Sequence, residues 1–391
     1  MLRTPSISLL AVGHACVDIY QGAVAALIPF FVAERDYGYA VASGIVLAAS
    51  LISSVAQPVF GLLTDRWAMP WLLPLSTLLG GAGIALSGLS GSYGLTLVFV
   101  AVSGIGVAAY HPESARVARL ASGGSHRAMS WFSLGGNVGF ALAPLMVSAV
   151  IGHGSLRWTP VLVLPALVGA VLCVPALRML GRRRVDASAS RVLGAGDDVA
   201  SFVKLSLGVV ARSVVFIGLS TFVSLYARQR VQGGDGAGTA ALFLLFLGGA
   251  VGSVLGGSLA HRFGRVRVCR PSYLLSTAAV AGVVYVPGPA MFLFVTLTSA
   301  GLYVPFSLQV TLGQDYLPSR MGTASGVTLG LTVSIGGLVS PVLGRVADTT
   351  TLQTALTPLI AMPALSWLFF RGLPEPAAYE PQLAVGERQE A

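Results

Sequence analysis

Several ionisable side chains stand inside otherwise apolar stretches of this 391-residue chain. His14 and Asp18 interrupt the first stretch, and Gln21 follows three positions on, so at helical spacing all three share a face. Tyr110-His111-Pro112-Glu113 interrupts another, with Arg116 three residues beyond Glu113, and Arg212 stands alone in a third. A charge at the centre of a bilayer costs about 2.5–3.5 kcal/mol on insertion scales, so residues of this kind are a sign of function. A buried carboxylate or imidazole can exchange a proton, and a buried guanidinium can hold an anion. Asp18, His14 and Glu113 are therefore read as the proton-coupling set. Gln21, His111, Arg116, Asn137, Arg212, Tyr303 and Gln309 are read as contacts for a solute. Asp18 and Arg212 each lie about 11 residues, or about 16 Å, into their segments. The expectation is an acid and a base approaching one cavity from opposite sides.

These residues need elements to position them, and composition says which. Hydrophobic residues make up 54% of the chain and charged residues 10%, against about 25% charged in soluble domains. Crossing a hydrocarbon core of about 30 Å takes roughly 20 apolar residues as a helix. Apolar segments fall near 7–32, 41–63, 70–89, 94–119, 128–152 and 158–179, then near 201–225, 238–260, 266–286, 289–312, 321–346 and 351–370. The first carries His14 and Asp18 and is read as a retained helix rather than a signal peptide. The polar, arginine-rich stretch 181–200 is read as a linker between bundles 1–180 and 201–375, and the Pro/Glu/Gln-rich end, 376–391, as a disordered tail.

The two bundles carry an internal repeat. Gly61-Leu62-Leu63-Thr64-Asp65-Arg66 is matched 196 positions later by Gly257-Ser258-Leu259-Ala260-His261-Arg262. Gly139 to Pro144 is matched by Gly336 to Pro341 at an offset of 197. Six helices per repeat leave both halves in the same orientation, so the expected fold is all-α, with twelve transmembrane helices in two parallel six-helix repeats. Placing the N-terminus inside puts 18 of the 24 basic residues in inside segments and five outside, with Arg212 within a helix. Both termini are therefore expected in the cytoplasm of a multi-pass protein of the plasma (inner) membrane. The net charge of +9 is accounted for by this orientation, and no basic domain exists to bind nucleic acid. Cys16, Cys173 and Cys269 are widely spaced and form no disulfide or CxxC pattern.

Together these features resemble the major facilitator superfamily over the whole chain. The family's loop pattern after the second helix, GxxxDRxGR, is kept here at Gly61, Asp65 and Arg66, and in the second half at Gly257, Arg262, Gly264 and Arg265, with His261 in place of the acid. The resemblance implies that these residues latch one transport state. Gly139 and Pro144, like Gly336 and Pro341, are similar to the family's small-residue and proline element, where helices pack closely and rock. Gly13-His14, Asp18-Ile19-Tyr20, Tyr110-His111-Pro112-Glu113 and Gly135-Gly136-Asn137-Val138-Gly139 resemble the fosmidomycin resistance protein group. That resemblance implies proton-driven export of a small drug-like or anionic compound by a monomer contacting membrane lipids, with no cofactor.

Uptake of an organic anion is the alternative within transporters. From another class, an intramembrane enzyme would need His14, Asp18, His111 and Glu113 as metal ligands. HExxH and GxSxG are both missing, and an enzyme leaves the repeat unexplained, so neither catalysis nor a resident metal is expected.

Overall fold

A computed structural model describes residues 5–122, 126–152, 154–180 and 196–376. The linker at 181–195 and the tail at 377–391 lie outside the described residues. The chain is helical almost throughout, as lipid requires: with no water to satisfy N–H and C=O groups, each spanning segment must bond its own backbone. The first half holds α1 (Pro5–Arg35), α2 (Tyr39–Arg66), α3 (Leu72–Ser87), α4 (Tyr93–Ser122), α5 (His126–Ile151) and α6 (Leu164–Leu180), the last preceded by a 3-10 turn at Leu156–Val163. The second half holds α7 (Val199–Arg230), α8 (Gly234–Phe263), α9 (Arg265–Tyr285), α10 (Met291–Tyr303), α11 (Phe306–Tyr316), α12 (Met321–Gly326), α13 (Thr332–Thr349), α14 (Leu352–Leu356) and α15 (Ala361–Arg371).

These make twelve spans, because α10–α11, α12–α13 and α14–α15 are each one interrupted crossing. Among the described residues, nine segments are both long and apolar enough to cross a membrane. The other three fall short for visible reasons. Helix α3 has only 16 residues, α9 opens with Arg265, Arg267 and Arg270, and the eleventh span is divided by a π-helical turn at Val327–Leu331. The uninterrupted tenth and eleventh helices expected from hydropathy are thus corrected. The tenth breaks at Val304-Pro305, where proline has no N–H to continue the ladder. The eleventh unwinds into a wider π-helical turn at Val327–Leu331, which follows Gly326 and contains Gly330.

Small residues set the helix spacing. Gly135 and Gly139 of α5 lie against the backbone of Ala11 and Ala15 of α1, and a Cβ at Gly139 would fall 2.7 Å from the Ala15 carbonyl carbon. The repeat appears again in space: Gly336 of α13 lies against Ser213 of α7 in the same way. Such approaches replace the hydrophobic driving force that lipid cannot supply between helices. Large apolar side chains such as Val55, Leu62 and Val171 face outward, where lipid covers them.

The halves meet along α2 with α13 and α5 with α8. On the side opposite the linker, Asp348 at the end of α13 accepts hydrogen bonds from the backbone N–H groups of Tyr39 at 2.7 Å and Ala40 at 3.0 Å, the first residues of α2. Gln229 donates to the Tyr39 hydroxyl at 3.2 Å. That side is closed by contacts between the halves.

Candidate transport site

The site starts from α1. His14 and Asp18, one turn apart, are both nine-tenths buried, with His14 Nε2 3.2 Å from Asp18 Oδ2. Helix α4 packs on α1 and brings His111 Nε2 within 3.1 Å of Asp18 Oδ1. Backbone carbonyls hold both imidazoles: His14 Nδ1 donates to Phe132 O of α5 at 3.0 Å, and His111 Nδ1 to Val107 O at 2.7 Å. Since a carbonyl only accepts, this geometry assigns the proton to Nδ1 and turns Nε2 toward Asp18. Phe132 also stacks on His14, centroids 4.4 Å apart. Gly136 of α5 leaves the room: a Cβ there would lie 2.7 Å from His14 Cε1. Among the described residues, no lysine or arginine pairs with Asp18.

The expected acid–base pair is therefore built differently. Asp18 pairs with two histidines, and Arg212 pairs with neither Asp18 nor any other carboxylate among the described residues. Arg212 is 4% exposed, donates Nε to Leu302 O at 2.6 Å, and lies 5.0 Å from the Tyr303 ring and 4.9 Å from the Phe306 ring. Rings and one carbonyl offset part of the cost of burying a guanidinium, but no fixed anion does. Leu302, Tyr303 and Phe306 flank the break in the tenth span.

Other expected residues divide. Glu113 is fully buried and pairs with Arg116, which donates Nε to Oε2 at 2.9 Å and makes a second bond to Oε1. Gln309 is buried and donates to the Tyr273 hydroxyl, leaving its own Oε1 without a partner. Asn137 is half-buried on α5 beside Gly136. Gln21 is exposed and makes no hydrogen bond with the cluster, although it follows Asp18 by three positions.

Among the expected latch residues, Arg66, Gly257 and Arg262 are exposed and Gly61 is half-buried. Gly264 turns α8 into α9 at φ +87, a conformation that favours glycine. The acid absent at His261 is supplied from elsewhere in the second half: Arg265 pairs with Asp315 at 2.6 Å, and Glu375 accepts from the Arg265 backbone at 3.0 Å and from Val266 at 2.7 Å. Pro144 is buried and Pro341 half-buried inside their helices. Phe132, Asp315, Asp348 and Glu375 were not anticipated. Each acts on residues far away in sequence, and no local spacing reports such contacts.

The model of the Major Facilitator Superfamily matches residues 10–341. This chain belongs to the Major Facilitator Superfamily. Among superfamily relatives, it is 30% identical over 368 residues to the fosmidomycin resistance protein of Escherichia coli K12, covering 90% of each chain. In structure it is similar to a bacterial homologue of the human lysosomal transporter Spinster in an inward-facing, occupied conformation, with TM-score 0.79, 16% identity, and 96% and 98% of the two chains covered. It is also similar to the fucose:proton symporter of E. coli, with TM-score 0.60, 18% identity, and 93% and 97% covered. The chain is thus a multi-pass membrane transporter of the superfamily's twelve-helix fold.

Proposed function

We propose that this transporter exports a small organic anion by alternating access, driven by protons entering the cell across the plasma membrane, with both termini cytoplasmic. The observation that carries the reading is Arg212: a buried guanidinium with aromatic walls and no carboxylate partner among the described residues is completed by an anionic solute. Similarity to a resistance protein supports the outward direction, and the buried His14–Asp18–His111 cluster supports the proton as the coupling ion. Asp18, His14 and Glu113 are assigned to the proton, and His111, Asn137, Tyr303 and Gln309 to the solute cavity with Arg212. Closure between Asp348 and the start of α2 supports alternating access, since it gives the far side a discrete contact to break.

The experiment is flux in tag-free proteoliposomes under an imposed pH gradient, scanned over anionic phosphonates and carboxylates and over cationic drugs. Anion movement opposite to proton movement is expected. Accumulation of solute on the side protons enter would replace export by uptake, and exclusive transport of cations would remove the anion.

A further inference from the structure

His14, Asp18 and His111 carry a second consequence that concerns coordination chemistry. One ligand atom from each lies within 4.8 Å of the other two. His14 Nε2 and His111 Nε2 each face a different oxygen of the one carboxylate, at 3.2 and 3.1 Å, close to the spacing of about 3.3 Å between ligands at tetrahedral angles around an ion with bonds of about 2.0–2.1 Å. Yet His14 Nε2 and Asp18 Oδ1 are buried with no hydrogen-bond partner. These atoms approach one another without hydrogen-bond alignment, as donor atoms grouped around a shared centre do.

The surroundings agree. Both Nδ1 atoms are committed to backbone carbonyls, which fixes each ring and leaves Nε2 as the donor. Asp18 brings one negative charge, and no arginine or lysine among the described residues pairs with it. Its two imidazole partners carry a positive charge only when protonated, whereas a divalent ion would offset the buried carboxylate whatever their protonation. Two imidazole nitrogens and one carboxylate oxygen suit Zn²⁺, Co²⁺ or Ni²⁺ rather than Mg²⁺ or Ca²⁺, which prefer all-oxygen sets. Three protein ligands leave a coordination position for water or for an oxygen of a solute.

We propose that His14, Asp18 and His111 form a binding site for one divalent transition-metal ion of the Zn²⁺ class, reached from the transport cavity. The ion ties α1 to α4 and so hinders exchange at the same three side chains. The inference rests on ligand geometry and does not require export to be the direction of transport.

The test uses tag-free, chelator-treated full-length protein in detergent. Equilibrium dialysis against Zn²⁺, with metal counted by mass spectrometry, is expected to give one ion per chain. Binding should weaken at least tenfold in His111→Gln and be lost in the combined His14→Gln, Asp18→Asn, His111→Gln variant. His261→Gln, exposed and far along the chain, is expected to leave it unchanged. Should the combined variant fail to fold, X-ray absorption of Co²⁺-loaded wild type decides instead, since two imidazoles and one carboxylate have a distinct signature. Absence of saturable binding, binding that survives the combined variant, or a spectrum without two imidazoles overturns the site. Zn²⁺ added to metal-free wild-type proteoliposomes is expected to slow transport, and because binding is read in detergent without flux, failure of the metal site leaves the export reading standing.

Discussion

At the scale of single residues, the two buried cationic arrangements behave differently. Arg212 has ring partners and a carbonyl but no carboxylate among the described residues. Lysine would keep the charge while losing the planar stacking and the Nε bond to Leu302. Arg212→Lys is expected to weaken anion affinity by tenfold or more, read as a rise in KM for flux, with the thermal midpoint little moved. An unchanged KM would remove Arg212 from the solute site. Glu113 and Arg116 form the reverse case, an acid fully buried beside a base that is one-third exposed. Arg116→Ala strands a buried carboxylate, at a cost of about 3–5 kcal/mol, whereas Glu113→Gln leaves a cation that can turn toward headgroups. Thermal melts in detergent should therefore show Arg116→Ala as the less stable variant. The local pairs His14–Asp18 and Glu113–Arg116 were legible, because helical periodicity alone brings positions three and four apart together. The meeting of His111 with Asp18 was not legible, since it depends on helix packing that no spacing within α4 encodes.

At the scale of elements, apolar runs located the spans, but three of them are interrupted, at Pro305, at the π-helical turn Val327–Leu331 and at the 3-10 turn Thr357–Ile360. Hydropathy averages over such breaks, which is why they were not legible. The start of α7 offers a test at this scale. Asp198 caps it by accepting from Ser201 N at 3.0 Å, and Asp197 accepts from Ser319 N at 3.1 Å. The Ser319 side chain and then its amide hold the Asp197 carboxyl below the ordinary carboxylate value, and the Ser201 side chain and then its amide do the same for Asp198. A depressed folded-state value means that the stabilisation is fully present above the unfolded pKa of about 3.9 and is lost as pH falls through the lowered value. Amide exchange over the first turn of α7 should therefore speed up beyond its intrinsic pH dependence only below about pH 4, and Asp198→Ala should show that faster exchange already at neutral pH.

At the scale of the whole molecule, duplication was legible because two matches agreed to within one residue in their offset, and the close approach of α5 to α1 is reproduced by α13 on α7. The contact between Asp348 and Tyr39 was not legible, since it joins residues 309 positions apart in different halves. It closes the far side by placing a carboxylate on the positive end of α2. Asp348→Ala should shift the population toward opening on that side, read as faster thiol labelling of a cysteine placed at Gln229. Labelling at the wild-type rate would show that Asp348 does not hold the closure.

Helix α2 begins at Gly38, which offers no side chain to cap it. Its first amides are thus served by an acid borrowed from the opposite bundle, and parting the bundles obliges water to take over that service. Opening is in this sense a wetting event. Solutes that lower water activity without entering the cavity would keep that mouth shut, so the osmotic state of the surroundings becomes an input to the transport cycle.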